Sequence, residues 1–90
     1  MITKRQMKIF LTTLEGPKGC NFRKDANGKT IWKCNANASK PIAHRILRSM
    51  GVSPANIKEV IDVAERPANG GGCDCEIIMN AKRGLMRAAK

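Results

Sequence analysis

A chain of ninety residues forms one small domain with a thin core, burying roughly 60% of its unfolded surface, and no run nears the ~20 apolar residues of a membrane helix. Its aromatics are Phe10, Phe22 and Trp32 alone, alongside four cysteines, so something besides apolar burial is expected to hold the fold. The net charge of +10 favours polyanionic partners.

Thr3-Lys4-Arg5-Gln6 reads as a capping box, with Ile2 and Met7 as its hydrophobic staple. Met7, Phe10, Leu11 and Leu14 recur at helical spacing, so a first helix runs from about Lys4 to Glu15 and stops at Gly16-Pro17. This opening segment, charged at Lys4, Arg5 and Lys8, lacks the apolar run of a secretory signal, and a cytoplasmic location is expected. Residues 20–34, CNFRKDANGKTIWKC, read as a β-hairpin turning at Asn27-Gly28. Folding it brings Cys20 and Cys34 together at its open end. Ser39 is placed to cap a second helix with Pro41 in its first turn and Ile42, Ile46, Leu47 and Met50 inward. Ser53-Pro54 starts a third helix, with Ile57, Val60, Ile61 and Ala64 buried and Pro67 beyond its end. After the loop 68–72, Glu76–Met79 reads as a short strand added to the hairpin. The expected architecture is therefore α+β, a single compact domain over 1–81, with 82–90 a basic tail that is a frayed helix or disordered.

The cysteines admit three readings. Thiols in a reducing compartment favour metal over disulfide, and Cys20 with Cys34 at the hairpin mouth plus Cys73 with Cys75 on a glycine-rich turn make a four-ligand structural zinc site. An extended Cys-x-Cys pair points both sulfurs one way, one strand period apart, so chelation by both requires a turn at Gly70–Gly72. His44 is a reserve ligand in place of Cys20. The second reading is metal-free buried thiols. The third is a redox or disulfide pair, which Asp74 and Glu76 oppose because neighbouring negative charge raises a thiol pKa.

The stretch Cys34 to Ala81, closing on Gly71-Gly72-Cys73-Asp74-Cys75-Glu76 and Ile77-Ile78-Met79-Asn80, resembles a family of small uncharacterised bacterial proteins. Their shared features are a cysteine ahead of a helix and a terminal Gly-Gly-x-Cys-Asp-Cys-Glu-hydrophobic-hydrophobic-Asn motif; the apolar run here is one residue longer. The resemblance covers about half the chain. It implies that Cys34, Cys73 and Cys75 act as a unit, and it implies no activity.

Charge is uneven: +9 over residues 1–48, −3 over 49–78 and +4 over 79–90. The second and third helices look like a helix-turn-helix, but the would-be recognition helix sets Lys58 against Glu59, Asp62 and Glu65, and DNA phosphates would repel it. Basic charge gathers instead at Arg23, Lys24, Lys29, Lys33, Lys40, Arg45, Arg48, Lys82 and Arg83, while Trp32 either offers a stacking face to an unpaired base or fills the core. The leading expectation is a zinc-stabilised module that binds nucleic acid, RNA or a ribonucleoprotein ahead of a DNA operator, through phosphate contacts. The alternative is a protein-binding module, such as a phage- or mobile-element-encoded inhibitor, using the same basic face. One histidine, no phosphate-binding glycine pattern and no Ser–His–acid grouping argue against an enzyme.

Overall fold

A computed structural model describes residues 1–34 and 36–90. Helix α1 spans Lys4–Glu15 and begins as its sequence dictates: the Thr3 side chain accepts from the Gln6 N–H at 3.1 Å and Gln6 Oε1 accepts from the Thr3 N–H at 2.9 Å. Met7, Phe10, Leu11 and Leu14 form its buried stripe.

The chain then doubles back on the end of α1. The Cys20 N–H donates to Leu14 O at 2.7 Å and the Phe22 N–H to Glu15 O at 2.8 Å. This return passes so near the helix that a Cβ on Gly19 would stand 2.1 Å from Leu14 O. It delivers the chain to a two-stranded antiparallel hairpin, β1 (Arg23–Lys24) and β2 (Thr30–Ile31), paired Arg23 with Ile31 and Lys24 with Thr30. Asp25 holds the turn: its Oδ1 accepts from the N–H groups of Asn27 and Lys29, both at 2.9 Å, and Gly28 takes a φ of +79°.

Helices α2 (Pro41–Ser49) and α3 (Pro54–Glu65) form the expected helical pair. Ser53 caps α3, accepting from the Asn56 N–H at 3.2 Å. Ser39 does not cap α2: the residue before the helix is Lys40, at φ +53°, and its side chain makes no cap. The Lys40 ammonium instead donates to Ala38 O at 2.7 Å and pairs with Glu65 at the far end of α3, its side chain almost wholly buried. This closes the helical hairpin with an ion pair.

The end of the chain is helical. Glu76–Met79 is not a strand; Asp74–Glu76 forms one turn of helix (α4), Ile77–Ala81 a π-helical turn, and Lys82–Ala88 a final helix, α5. An apolar run of four is too short to tell a buried strand from a buried helix by periodicity. Its setting decides it, since Ile77, Ile78, Ala81 and Leu85 are all buried, at the helical spacings of three and four. The basic tail, read as a frayed helix or disorder, is helical over Lys82–Ala88 and docked. Lys4 Nζ donates to the carbonyls of Met86 at 2.7 Å and Ala89 at 3.1 Å, a cation set on exposed carbonyls at the end of α5. Helix α1 packs on α2 and α5, and α3 on α2 and α5, around one core. Among the described residues no helix is long and apolar enough to cross a membrane.

Gly19→Ala forces the returning chain away from Leu14 O. We expect it to lower unfolding free energy by about 1–3 kcal/mol, read as a fall in the urea midpoint at unchanged slope.

Candidate metal centre

Two segments far apart in sequence meet at the edge of the helical layer. One is the exposed loop after β2. There the Lys33 N–H donates to Cys20 O at 2.7 Å, and Ala36, at φ +52°, turns its own N–H onto Cys34 Sγ at 3.3 Å. The other is the start of α4. Cys73 is extended, at φ −143° and ψ 175°, whereas Cys75 is already helical. That change of backbone between neighbours folds the Cys-x-Cys pair, so the bend lies at Asp74 rather than within the glycines before it. The two sulfurs, which an extended strand would hold roughly 7 Å apart, stand 3.2 Å from each other.

Cys34 Sγ completes a triangle, 3.6 Å from Cys73 Sγ and 2.7 Å from Cys75 Sγ. These three sulfurs, each within 4.8 Å of the others, are close enough to hold a metal ion. A tetrahedral zinc with bonds of about 2.3 Å sets its thiolates about 3.8 Å apart. The triangle is tighter than that, most of all on its 2.7 Å Cys34–Cys75 edge, and Cys34, on an exposed loop, can open it. A point 2.3 Å from all three sulfurs lies about 1.3 Å out of their plane, leaving the fourth tetrahedral position on that same side.

The electrostatics of the three thiols differ. Cys34 is lowered from the ordinary thiol value, first by the hydrogen bond that the Cys75 thiol donates to it and then by the Ala36 N–H. Burial pushes Cys75 well up, and the hydrogen bonds to Cys34 and Cys73 push it further. Cys73 is raised by burial too, although the Glu76 N–H donates to its sulfur and opposes the rise. The acids flanking the motif are thus a lesser cause than desolvation. A divalent ion between them would favour the ionised form of all three sulfurs. Two sulfurs already accept backbone N–H bonds, which favour thiolate.

Asp74, between the two thiols, takes the place sequence reasoning gave to Ser39. It is 2% exposed, and its two carboxylate oxygens accept from the first free amides of α2: Oδ2 from Ile42 at 3.1 Å and Oδ1 from Ala43 at 2.8 Å. A buried carboxylate on a helix N-terminus satisfies two orphan donors and meets the positive end of the dipole. Nothing local in the sequence pairs residues this distant; the one available signal was an Asp that no exposed role explained.

The other expected site residues fall as follows. Cys20 is fully buried beside the hairpin mouth, near enough to Cys34 and Cys73 for their charges to act on it, but it is not one of the close three. His44 is not near the sulfurs: it lines a groove of about 570 Å³ between α2 and α3, with Arg48, Val52, Ile57 and Ile61. Lys40, expected among the exposed cations, is buried against Glu65 because its backbone starts α2 under the end of α3. Lys82 pairs with Glu15, and the Arg45 guanidinium donates to Lys18 O at 2.7 Å. Arg83 is exposed. Arg23, Lys24, Lys29 and Lys33 are exposed on and beside the hairpin. Trp32 is not core: it is 41% exposed and stacks on Phe22, ring centroids 5.3 Å apart and planes 15° from parallel.

No protein-family model, curated protein or solved structure matches this chain. Its chemistry rests on the geometry above.

Replacing Asp74 by Asn keeps the size of the side chain but turns one acceptor oxygen into an NH₂ facing an amide N–H. Unfolding free energy is expected to fall by about 2 kcal/mol, with faster hydrogen exchange at the Ile42 and Ala43 amides.

Proposed function

We propose that this chain is a zinc-stabilised module that binds single-stranded nucleic acid, RNA foremost, with its basic hairpin. The observation that carries the reading is Trp32, half-exposed and stacked on Phe22, on a hairpin that also exposes Arg23, Lys24, Lys29 and Lys33. An exposed ring flanked by cations is what unpaired bases and their phosphates need: a stacking face that every base fits, and charge that tracks the backbone. Three thiolates favour zinc over harder ions. Zinc, when bound, tethers the Cys34 loop to α4 and so fixes the hairpin relative to the helices. The cost of ordering a hairpin with two-residue strands, unstable alone in water, is then met before a ligand arrives.

A second reading has its own support. The groove between α2 and α3 is largely apolar, lined by Val52, Pro54, Ile57 and Ile61 with Arg48 at its rim, which suits a protein partner. A partner retained after nuclease treatment favours that reading.

The test of the first is titration of fluorescent single-stranded RNA across a range of salt. Affinity is expected to fall steeply as salt rises, and Trp32→Ala to weaken binding by about 5- to 150-fold, the equivalent of one stacked base at 1–3 kcal/mol. Binding that is flat with salt, and unchanged in Trp32→Ala, contradicts the proposal.

A further inference from the structure

We infer that Cys20 supplies a fourth thiolate, making the centre a closed four-sulfur zinc site. The inference rests on the metal-holding part of the proposed function and is independent of what the hairpin binds.

Four observations support Cys20 in that position. The hairpin register, continued past its two-residue strands, sets Phe22 against Trp32, which do stack, and then Cys20 alongside Lys33 and Cys34. The hydrogen bond from the Lys33 N–H to Cys20 O fastens that end of the hairpin. Its other side is fixed by the Cys20 N–H on Leu14 O and by the close passage of Gly19, so Cys20 is held by backbone while Cys34 sits on an exposed loop that can adjust. Finally, Cys20 is wholly buried at the same hairpin mouth that carries Cys34.

The remaining donors are committed elsewhere or fit less well. Both Asp74 oxygens are on α2 amides, and His44 faces the α2–α3 groove. Among the described residues Glu76 is the rival: its carboxyl lies against the Cys73 sulfur and near Gly72. A buried thiol is the softer donor and needs no access to water, and structural zinc sites close their coordination shell with such ligands. Ligation breaks the S–H bond of Cys20, forms a Zn–S bond and releases the proton to solvent; no oxidant or reductant takes part.

Zinc K-edge X-ray absorption on the zinc-loaded full chain decides the matter. Four sulfur neighbours at about 2.3 Å in the wild type and in Glu76→Gln, falling to three sulfurs and one oxygen or nitrogen in Cys20→Ser, is the expected result. Three sulfurs and one lighter atom in the wild type overturn the inference while leaving the three-cysteine site standing, and loss of the lighter atom in Glu76→Gln would identify Glu76 as its source. A wild-type chain that takes up no zinc overturns the inference together with the reading beneath it. Should Cys20→Ser not fold, the sulfur count of the wild-type shell is sufficient to decide between four thiolates and three.

Discussion

Three sulfurs within 3.6 Å of one another, drawn from loops about forty residues apart, are the constraint on which this fold turns. Adjacent thiolates repel, and adjacent thiols in a small core gain little, so the arrangement is best stabilised by a cation between them. Such a cation closes a long loop, and closing long loops removes the most entropy from the unfolded chain. In ninety residues with three aromatics, a link of that kind would weigh heavily in the stability of the native state. The segment enclosed is the α2–α3 hairpin, so a link at Cys34 and α4 ties both of its ends.

The Cys-Asp-Cys triplet divides its labour by alternation. The start of a helix turns Cys73 and Cys75 toward Cys34, while the residue between them points its carboxylate into the first turn of α2. One tripeptide therefore fixes a sulfur cluster and a helix N-terminus at once. The Lys40–Glu65 pair, its ammonium buried and its carboxylate half-exposed, stands at that same helix start. Removing Glu65 would leave the buried Lys40 charge with the Ala38 carbonyl alone of these two partners, so the pair helps to specify how α2 meets α3.

Local signals were legible where they act locally. The capping box at Thr3, the cap at Ser53, the Asp25–Gly28 turn and the apolar stripes of the first three helices follow from neighbours three or four residues apart. The convergence of Cys34, Cys73 and Cys75 was also expected, as part of a four-cysteine site with Cys20; these three are the ones that lie close together. What sequence did not disclose depends on distance. Asp74 replaces Ser39 as the cap of α2 across more than thirty residues. Lys40 is drawn inside by Glu65, twenty-five residues on. Glu76–Met79 becomes helix because α1 packs against it and its isoleucines join the shared core. Trp32 stays at the surface, 41% exposed and stacked on Phe22.

With an ion bound, the sulfur cluster becomes the joint between a basic hairpin and a helical body. Amide hydrogen exchange on the zinc-loaded chain, before and after addition of a chelator, tests that most directly. Chelation is predicted to remove protection from the Lys33, Ala36, Ile42 and Ala43 amides first and furthest, with α1 amides such as Leu11 and Leu14 retaining more. Equal protection at the hairpin mouth with and without metal would contradict that claim, because the joint would then hold without an ion.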